Sequence, residues 1–220
     1  LDEVAKSSRD IAIVVGAVVP TDDPRPKEIE TAAVVLAEGK RQTHRSKTLL
    51  PTYDVFDELR YFARAKERTP VTIPGLPISF GLAVCEDTWF QTRPYKVDPV
   101  AELSAAGADV ILNPSASPWH AGKAAKRRAM LADVAKKNNR PVVFVNQVGG
   151  NDELVFDGGS CVLDPNGQVH ASLPLFEPGL SIFEFTPEEL ATGTFHGGHA
   201  HADYEDLSEV AQLEGGLVLG

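Results

Sequence analysis

Cysteine is scarce in this sequence. Only Cys85 and Cys161 occur among 220 residues, too few for the disulfide framework of a secreted scaffold, so a reducing, cytoplasmic setting is expected. No apolar run approaches the roughly 18 residues that a membrane-spanning helix requires. Residues 1–10 lack the basic end and apolar stretch of a signal peptide. The sequence opens on Leu1 without an initiator Met, as expected of a chain that starts inside a longer protein. Cationic excess is also missing: 21 Lys and Arg stand against 31 Asp and Glu, a formal net charge of −10. That balance argues against a nucleic-acid partner, which needs a basic face. There is no internal repeat and no glycine-rich dinucleotide loop. What remains is 43% hydrophobic and 24% charged, the composition of an ordinary soluble globular protein. The length allows one sizeable core, or at most two small ones.

Apolar, β-branched runs at residues 11–19 (IAIVVGAVV) and 32–37 (AAVVLA) predict buried strands, the second ended by a turn at Glu38-Gly39-Lys40. Residues 39–47 are polar and basic. Thr72 and Ile73 predict a short strand, and residues 78–85 (ISFGLAVC) a strong one that carries Cys85 at its C-terminal end. A helix over 98–107 leads to a strand at 109–112 (DVIL). Residues 121–138 predict a long helix with Ala124, Met130, Leu131 and Val134 in its apolar stripe. A strand at 141–148 follows, and residues 164–167 (DPNG) form a hairpin turn between GSCVL and QVHASL. Strands alternate with helices often enough for an α/β protein. From about residue 186 the sequence changes character: 193–203 are loop-like and 204–220 resemble the start of a helix.

Cys85 stands where an apolar strand gives way to Glu86-Asp87-Thr88. In α/β proteins ligands collect beyond the carboxyl ends of strands, so a nucleophile there is accessible at its sulfur and held by its backbone. Cysteine is equally a small hydrophobe that fills a strand end. Cys161, inside a hairpin strand, reads as structural. Lys47 could stabilise a thiolate and the oxyanion formed when sulfur attacks an amide, although a lone lysine is more commonly a solvated surface charge. His120 could pair with Cys85 in a dyad. His196, His199, His201 and Asp203 have the composition of a metal-binding tract, but the glycines around them favour a flexible linker. Lys126, Arg127 and Arg128 read as the solvated face of the long helix.

Several motifs in order resemble those of one family. Residues 47–58 (KTLLPTYDVFDE), continued by Arg60, Tyr61 and Phe62, resemble the lysine motif of the nitrilase-type glutaminase domains in glutamine-dependent NAD synthetases. Residues 81–89 (GLAVCEDTW) resemble their cysteine motif. Residues 113–120 (NPSASPWH) with Gly122 and Lys123 resemble their glutamine-binding loop and helix start. Residues 146–150 (NQVGG), 156–160 (FDGGS) and 164–167 (DPNG) complete the series. The cysteine motif and the Gly-Ser segment alone would indicate only the wider carbon–nitrogen hydrolase superfamily.

The resemblance implies a nitrilase-like αββα sandwich, apparently truncated at its N-terminus, over residues 1–187. Residues 188–220 would be a linker and the start of a synthetase domain. It implies a Glu–Lys–Cys triad with Cys85 as nucleophile, Lys47 as the triad lysine and the backbone N–H of Glu86 in the oxyanion hole. Tyr53, Ser117 and Lys123 would contact L-glutamine. Glu58 matches a second glutamate near the nucleophile, and would otherwise be a helix-surface carboxylate. Ammonia would pass to a C-terminal synthetase domain that amidates deamido-NAD with ATP and Mg, while the glutaminase domain needs no cofactor or metal. The full-length enzyme would be a homo-oligomer, with neither nucleic acid nor membrane as partner.

One element of the pattern has no match. The general-base glutamate is expected upstream of Ile11, where only Glu3 occurs, at what reads as a helix end. A Ser-Gly-Gly-x-Asp-Ser phosphate loop is absent as well. Two other readings therefore stand beside the glutaminase: a non-catalytic binding or scaffolding fragment, and a carbon–nitrogen hydrolase acting on another small amide or a nitrile. With a leading strand and helix missing, an exposed sheet edge would favour aggregation.

Overall fold

The computed structural model describes residues 1–21 and 27–196, and the chain divides into two compact units, Leu1–Pro114 and Ser115–Gly220. The first unit opens with α1 (Asp2–Lys6) and an antiparallel sheet in the order β1-β2-β3, with β1 Ile13–Pro20, β2 Ile29–Ala37 and β3 Lys40–Ser46. The centre of that sheet is β2, whose Ala32, Ala33, Val34, Val35 and Leu36 are fully buried. An apolar strand covered on both faces needs no alternation, which is why the run at 32–37 shows none. Glu38 and Gly39 form the two-residue β2–β3 turn, with φ of 55° and 74°. Two consecutive positive φ values suit the twist of a tight hairpin.

β3 corrects the reading of residues 40–47 as a plain polar segment. Its register with β2 runs from Ala37↔Lys40 to Ala32↔Ser46, with an irregularity at Val35/Leu36. The strand is held by backbone pairing to a buried neighbour, so its own side chains carry little signal. After β3 come α2 (Glu58–Tyr61) and β4 (Val71–Thr72).

β5 (Ser79–Leu82), α3 (Pro99–Ala105) and β6 (Val110–Ser115) form a strand–helix–strand unit in which β5 and β6 are parallel, with Phe80 opposite Val110 and Leu82 opposite Leu112. Asp98 caps α3 by accepting from the Ala101 amide at 3.0 Å, and Pro99 occupies the first turn, where a missing N–H costs nothing. Gly81 lets the helix close onto the strand. A Cβ there would lie 2.7 Å from Ile111 Cδ1 and 3.2 Å from Leu103 Cβ.

The second unit contains α4 (Lys123–Asn138), β7 (Val142–Asn146), the β8–β9 hairpin (Val148–Asn151, Leu154–Asp157), β10 (Cys161–Leu163), β11 (Val169–Ser172) and α5 (Pro187–Thr192). α4 buries Ala124, Arg127, Met130, Leu131, Val134 and Ala135, a stripe at helical spacing. Arg127 was expected on its solvated face and is instead buried. Asn139 ends the helix in the left-handed region at φ 50°. β10 pairs antiparallel with both β7 and β11. The connecting turn is held by Asp164, whose Oδ1 accepts from the amides of Asn166 (2.8 Å) and Gln168 (2.9 Å). α5 was not foreseen; Thr186 and Glu189 cap it reciprocally. Residues 197–220, where the linker and the start of a further domain are expected, lie outside the described residues.

Candidate active site

Cys85 does not end a strand, as the apolar run suggested. β5 stops at Leu82, and Cys85 opens a 3-10 turn, Cys85–Thr88, with its backbone in the left-handed region at φ 45°. Side chains on either side close that turn. Thr88 Oγ1 donates to the Cys85 carbonyl at 3.1 Å, and Asn113 Nδ2, on β6, donates to the Ala83 carbonyl at 2.6 Å. Polar side chains that bond to nearby backbone in this way compete with a continuing strand. The Cys85 residue is half-buried.

Lys47 leaves the end of β3, its amide donating to the Thr31 carbonyl at 2.8 Å. Only 2% of the residue is exposed. Its Nζ donates to both carboxylate oxygens of Glu58, at 2.7 and 2.8 Å. Glu58 stands at the start of α2, where its own amide donates to the Pro51 carbonyl. Burial opposes the Lys47 charge. Cys85, Glu58 and Asp87 outweigh it, so the lysine pKa stands above its ordinary value. Lys47, Glu58 and Cys85 thus form one electrostatic group within the first unit, and Glu58 is not a free surface carboxylate.

The side chain of Glu86, 6% exposed, has surroundings that its sequence position did not disclose. It accepts hydrogen bonds from the Tyr53 hydroxyl at 2.8 and 2.9 Å and from the Tyr95 hydroxyl at 2.7 Å. Burial and the adjacent Glu86 carboxylate hold both phenols well above the ordinary tyrosine range, hence protonated. Tyr53 is placed by the turn at 53–56, where the Phe56 amide donates to the Tyr53 carbonyl. The Arg93 guanidinium lies 3.6 Å from the centre of the Tyr53 ring, a cation–π contact.

Asp87 is buried too. One oxygen accepts from the amides of Thr48 (3.0 Å) and Leu49 (2.7 Å), the other from the amide of Val84 (2.9 Å). Burial pushes its carboxyl up to about 6, against the pull of those three amides and of Lys47.

Ser117 and Lys123 belong to the second unit. The Ser117 amide donates to Asn146 Oδ1 at 2.8 Å. Asn146 Nδ2 in turn donates to the carbonyl of Gly158 (2.9 Å) and to Asp157 (3.3 Å). Arg127 grips Asp157 through two bonds of 3.0 Å and also donates to the Gly158 carbonyl. Lys123 opens α4 and its Nζ donates to the Pro118 carbonyl at 2.6 Å. His120 Nδ1 lies 2.9 Å from the Ala121 carbonyl. Cys161 is buried in β10, and burial pushes its thiol up to about 11. The His196 amide donates to Glu189; His199, His201 and Asp203 lie outside the described residues. Among the described residues, no cluster of His, Cys, Asp and Glu is arranged to hold a metal ion. No helix there is long and apolar enough to cross a membrane.

The profile of the carbon–nitrogen hydrolase family matches residues 3–193. The chain belongs to that family. It is 36% identical over 219 residues to a glutamine-dependent NAD(+) synthetase of Synechocystis sp., an alignment covering 96% of this chain and 38% of the relative. The glutamine-dependent NAD+ synthetase of Acinetobacter baumannii, solved with ADP, superposes with a TM-score of 0.83 at 32% identity, over 99% of this chain and 38% of that one. A mutant amidase from Nesterenkonia sp. AN1, with acrylamide added at its active-site cysteine, gives a TM-score of 0.66 at 27% identity, over 81% of this chain and 64% of that one. The fold is therefore the nitrilase-like α/β fold of carbon–nitrogen hydrolases, and the chain spans between about a quarter and a little over a third of the NAD synthetases it matches.

The sequence reading passed over Asp87, Tyr95, Asn146 and the Arg127–Asp157 pair. Asp87, Asn146 and Asp157 lie inside quoted motifs, so their positions were in view. Apart from the Val84 amide beside Asp87, their partners are 11 to 39 residues away in sequence, and no spacing rule reports such contacts. Tyr95 carried no local signal at all.

Proposed function

We propose that this chain is the glutamine-hydrolysing part of a glutamine-dependent NAD synthetase. The observation that carries the reading is a buried ammonium, Lys47, bound by Glu58 and sharing its field with Cys85. An ammonium beside sulfur favours the thiolate, the reactive form of cysteine. The Cys85 thiolate attacks the side-chain amide carbon of L-glutamine, and the carbonyl π electrons move to oxygen. Lys47 and the Glu86 backbone N–H stabilise that oxyanion. The C–N bond breaks as the nitrogen takes a proton, ammonia leaves, and water then cleaves the thioester to give glutamate and regenerate the thiolate. The general-base glutamate that the family resemblance calls for to move the protons has no match in residues 1–10.

Substrate selection falls to Tyr53, Ser117 and Lys123, since the α-amino and α-carboxylate groups of glutamine require polar and charged partners. The Glu86 carboxylate, held by two phenols, adds an anion suited to the α-ammonium. None of these steps needs a metal or cofactor; ATP and Mg serve the synthetase part of the parent enzyme, which amidates deamido-NAD with the ammonia. In the full-length enzyme, Cys85→Ala is expected to abolish glutamine-dependent NAD formation while ammonia-dependent formation persists. Equal loss of both would overturn the reading. The likeness to an amidase favours one alternative, hydrolysis of other small amides. Turnover of acetamide matching that of glutamine would select it.

A further inference from the structure

Lys47 follows β3 and Cys85 opens the turn after β5, with no covalent tie between them for 38 residues. A two-electron attack assisted by a point charge tolerates little error in their separation, on the order of 0.5 Å for a preorganised site. Something must therefore lock the two chain segments together. The Asp87 carboxylate bridges them. Its Oδ1 takes the amides of Thr48 and Leu49, the two residues after the lysine. Its Oδ2 takes the amide of Val84, the residue before the nucleophile. All four residues are buried, so these amides have no solvent alternative, and a carboxylate is a strong acceptor for all three at once.

We propose that Asp87 is a positioning residue for the hydrolase reaction: its carboxylate staples the lysine segment to the cysteine turn and so fixes the ammonium–sulfur separation. This rests on the glutaminase reading above, though it concerns a residue with no direct part in the bond changes. Asparagine is nearly isosteric but turns one acceptor into a donor, which would meet either the Val84 amide or the pair from Thr48 and Leu49 with a second N–H. The staple then fails on one side while the volume is kept.

The test is ultraviolet titration of the Cys85 thiolate in the 220-residue chain, together with its rate of alkylation by iodoacetamide near neutral pH. Cys161 stays protonated there, since burial holds it near 11, so the signal reports Cys85. Loss of the Asp87 charge would by itself lower the thiol pKa and displacement of the ammonium raises it, so Asp87→Asn is expected to move the titration upward against the charge effect and slow alkylation about tenfold, the change that one unit of thiol ionisation produces. A control variant in the second unit, Val142→Ala, lowers the melting temperature by packing loss and is expected to leave the titration unmoved. A titration for Asp87→Asn that superposes on wild type would overturn the proposal, as would an equal shift in Val142→Ala. Should Asp87→Asn not fold, Asp87→Glu keeps the charge one methylene further out and is read in the same way. A wild-type curve indistinguishable from that of Lys47→Met would instead refute the lysine–cysteine reading itself. The two failures therefore have different signatures.

Discussion

Arg127–Asp157 in the second unit and Lys47–Glu58 in the first both hold a buried cation against a carboxylate, yet they are closed in different ways. The guanidinium meets Asp157 through two bonds of 3.0 Å and spends a third on the Gly158 carbonyl, while Asn146 adds a donor to the same carboxylate. Each charge is fully occupied by fixed neighbours. Lys47 is a compact point charge whose field is divided among Glu58, Cys85 and Asp87. The planar fork of arginine suits a sealed structural pair, and the ammonium suits a shared one. The first arrangement orders the Asn146–Ser117 contact; the second leaves a cation that shares its field with the Cys85 thiol.

Removing the Cys85 sulfur should separate chemistry from stability most sharply. Cys85→Ala is expected to lower glutamine-dependent turnover of the full-length enzyme by at least about 10⁴-fold, with a melting temperature close to wild type. The converse holds for the sealed pair. Asp157→Ala would strand a buried guanidinium and is expected to cost about 3–5 kcal/mol in urea unfolding of this chain. Lys47→Met sharpens the contrast: Glu58, whose side chain is 19% exposed, can take up water, so stability should fall less than in Asp157→Ala, while turnover falls about 10²–10³-fold.

Asp87 adds a pH signature peculiar to the first unit. Its folded pKa, about 6, lies above the ordinary value of about 3.9 for an unfolded aspartate. The folded state therefore binds more protons in that window, and the Asp87 contribution to stability is present below about pH 4 and lost as pH rises through about 6, on the order of 3 kcal/mol. Stability–pH curves of wild type and Asp87→Asn should diverge over that interval; parallel curves would contradict it. At the small end, Lys6→Ala removes an exposed pair with Glu3 and should leave the melting temperature unchanged within error, because solvent screens such pairs.

The strands that sequence made legible are apolar runs: β2, β7, the β10–β11 hairpin with its Asp-Pro-Asn-Gly turn, and β1, although β1 is not the buried strand its composition suggested, since Val18 is exposed and only Val19 is fully covered. β3 escaped because its polar residues owe their conformation to the neighbour they pair with. The β8–β9 hairpin escaped because Gly149 and Gly150 give no apolar alternation. The end of β5 was misplaced by three residues, since Ala83 and Val84 remain apolar and buried after the strand's pairing ends. At the site, Lys47, Cys85 and Tyr53 were legible through motifs. The hydrogen bonds that arrange them were not, because a carboxylate holding amides 38 and 39 residues away leaves no local pattern.

The left-handed backbone of Cys85 sets durability against reactivity. An L-residue with a Cβ at φ 45° is strained by about 1 kcal/mol relative to glycine. Cys85→Gly should accordingly give a more heat-resistant protein that hydrolyses nothing, and a screen for robustness alone would discard the sulfur first.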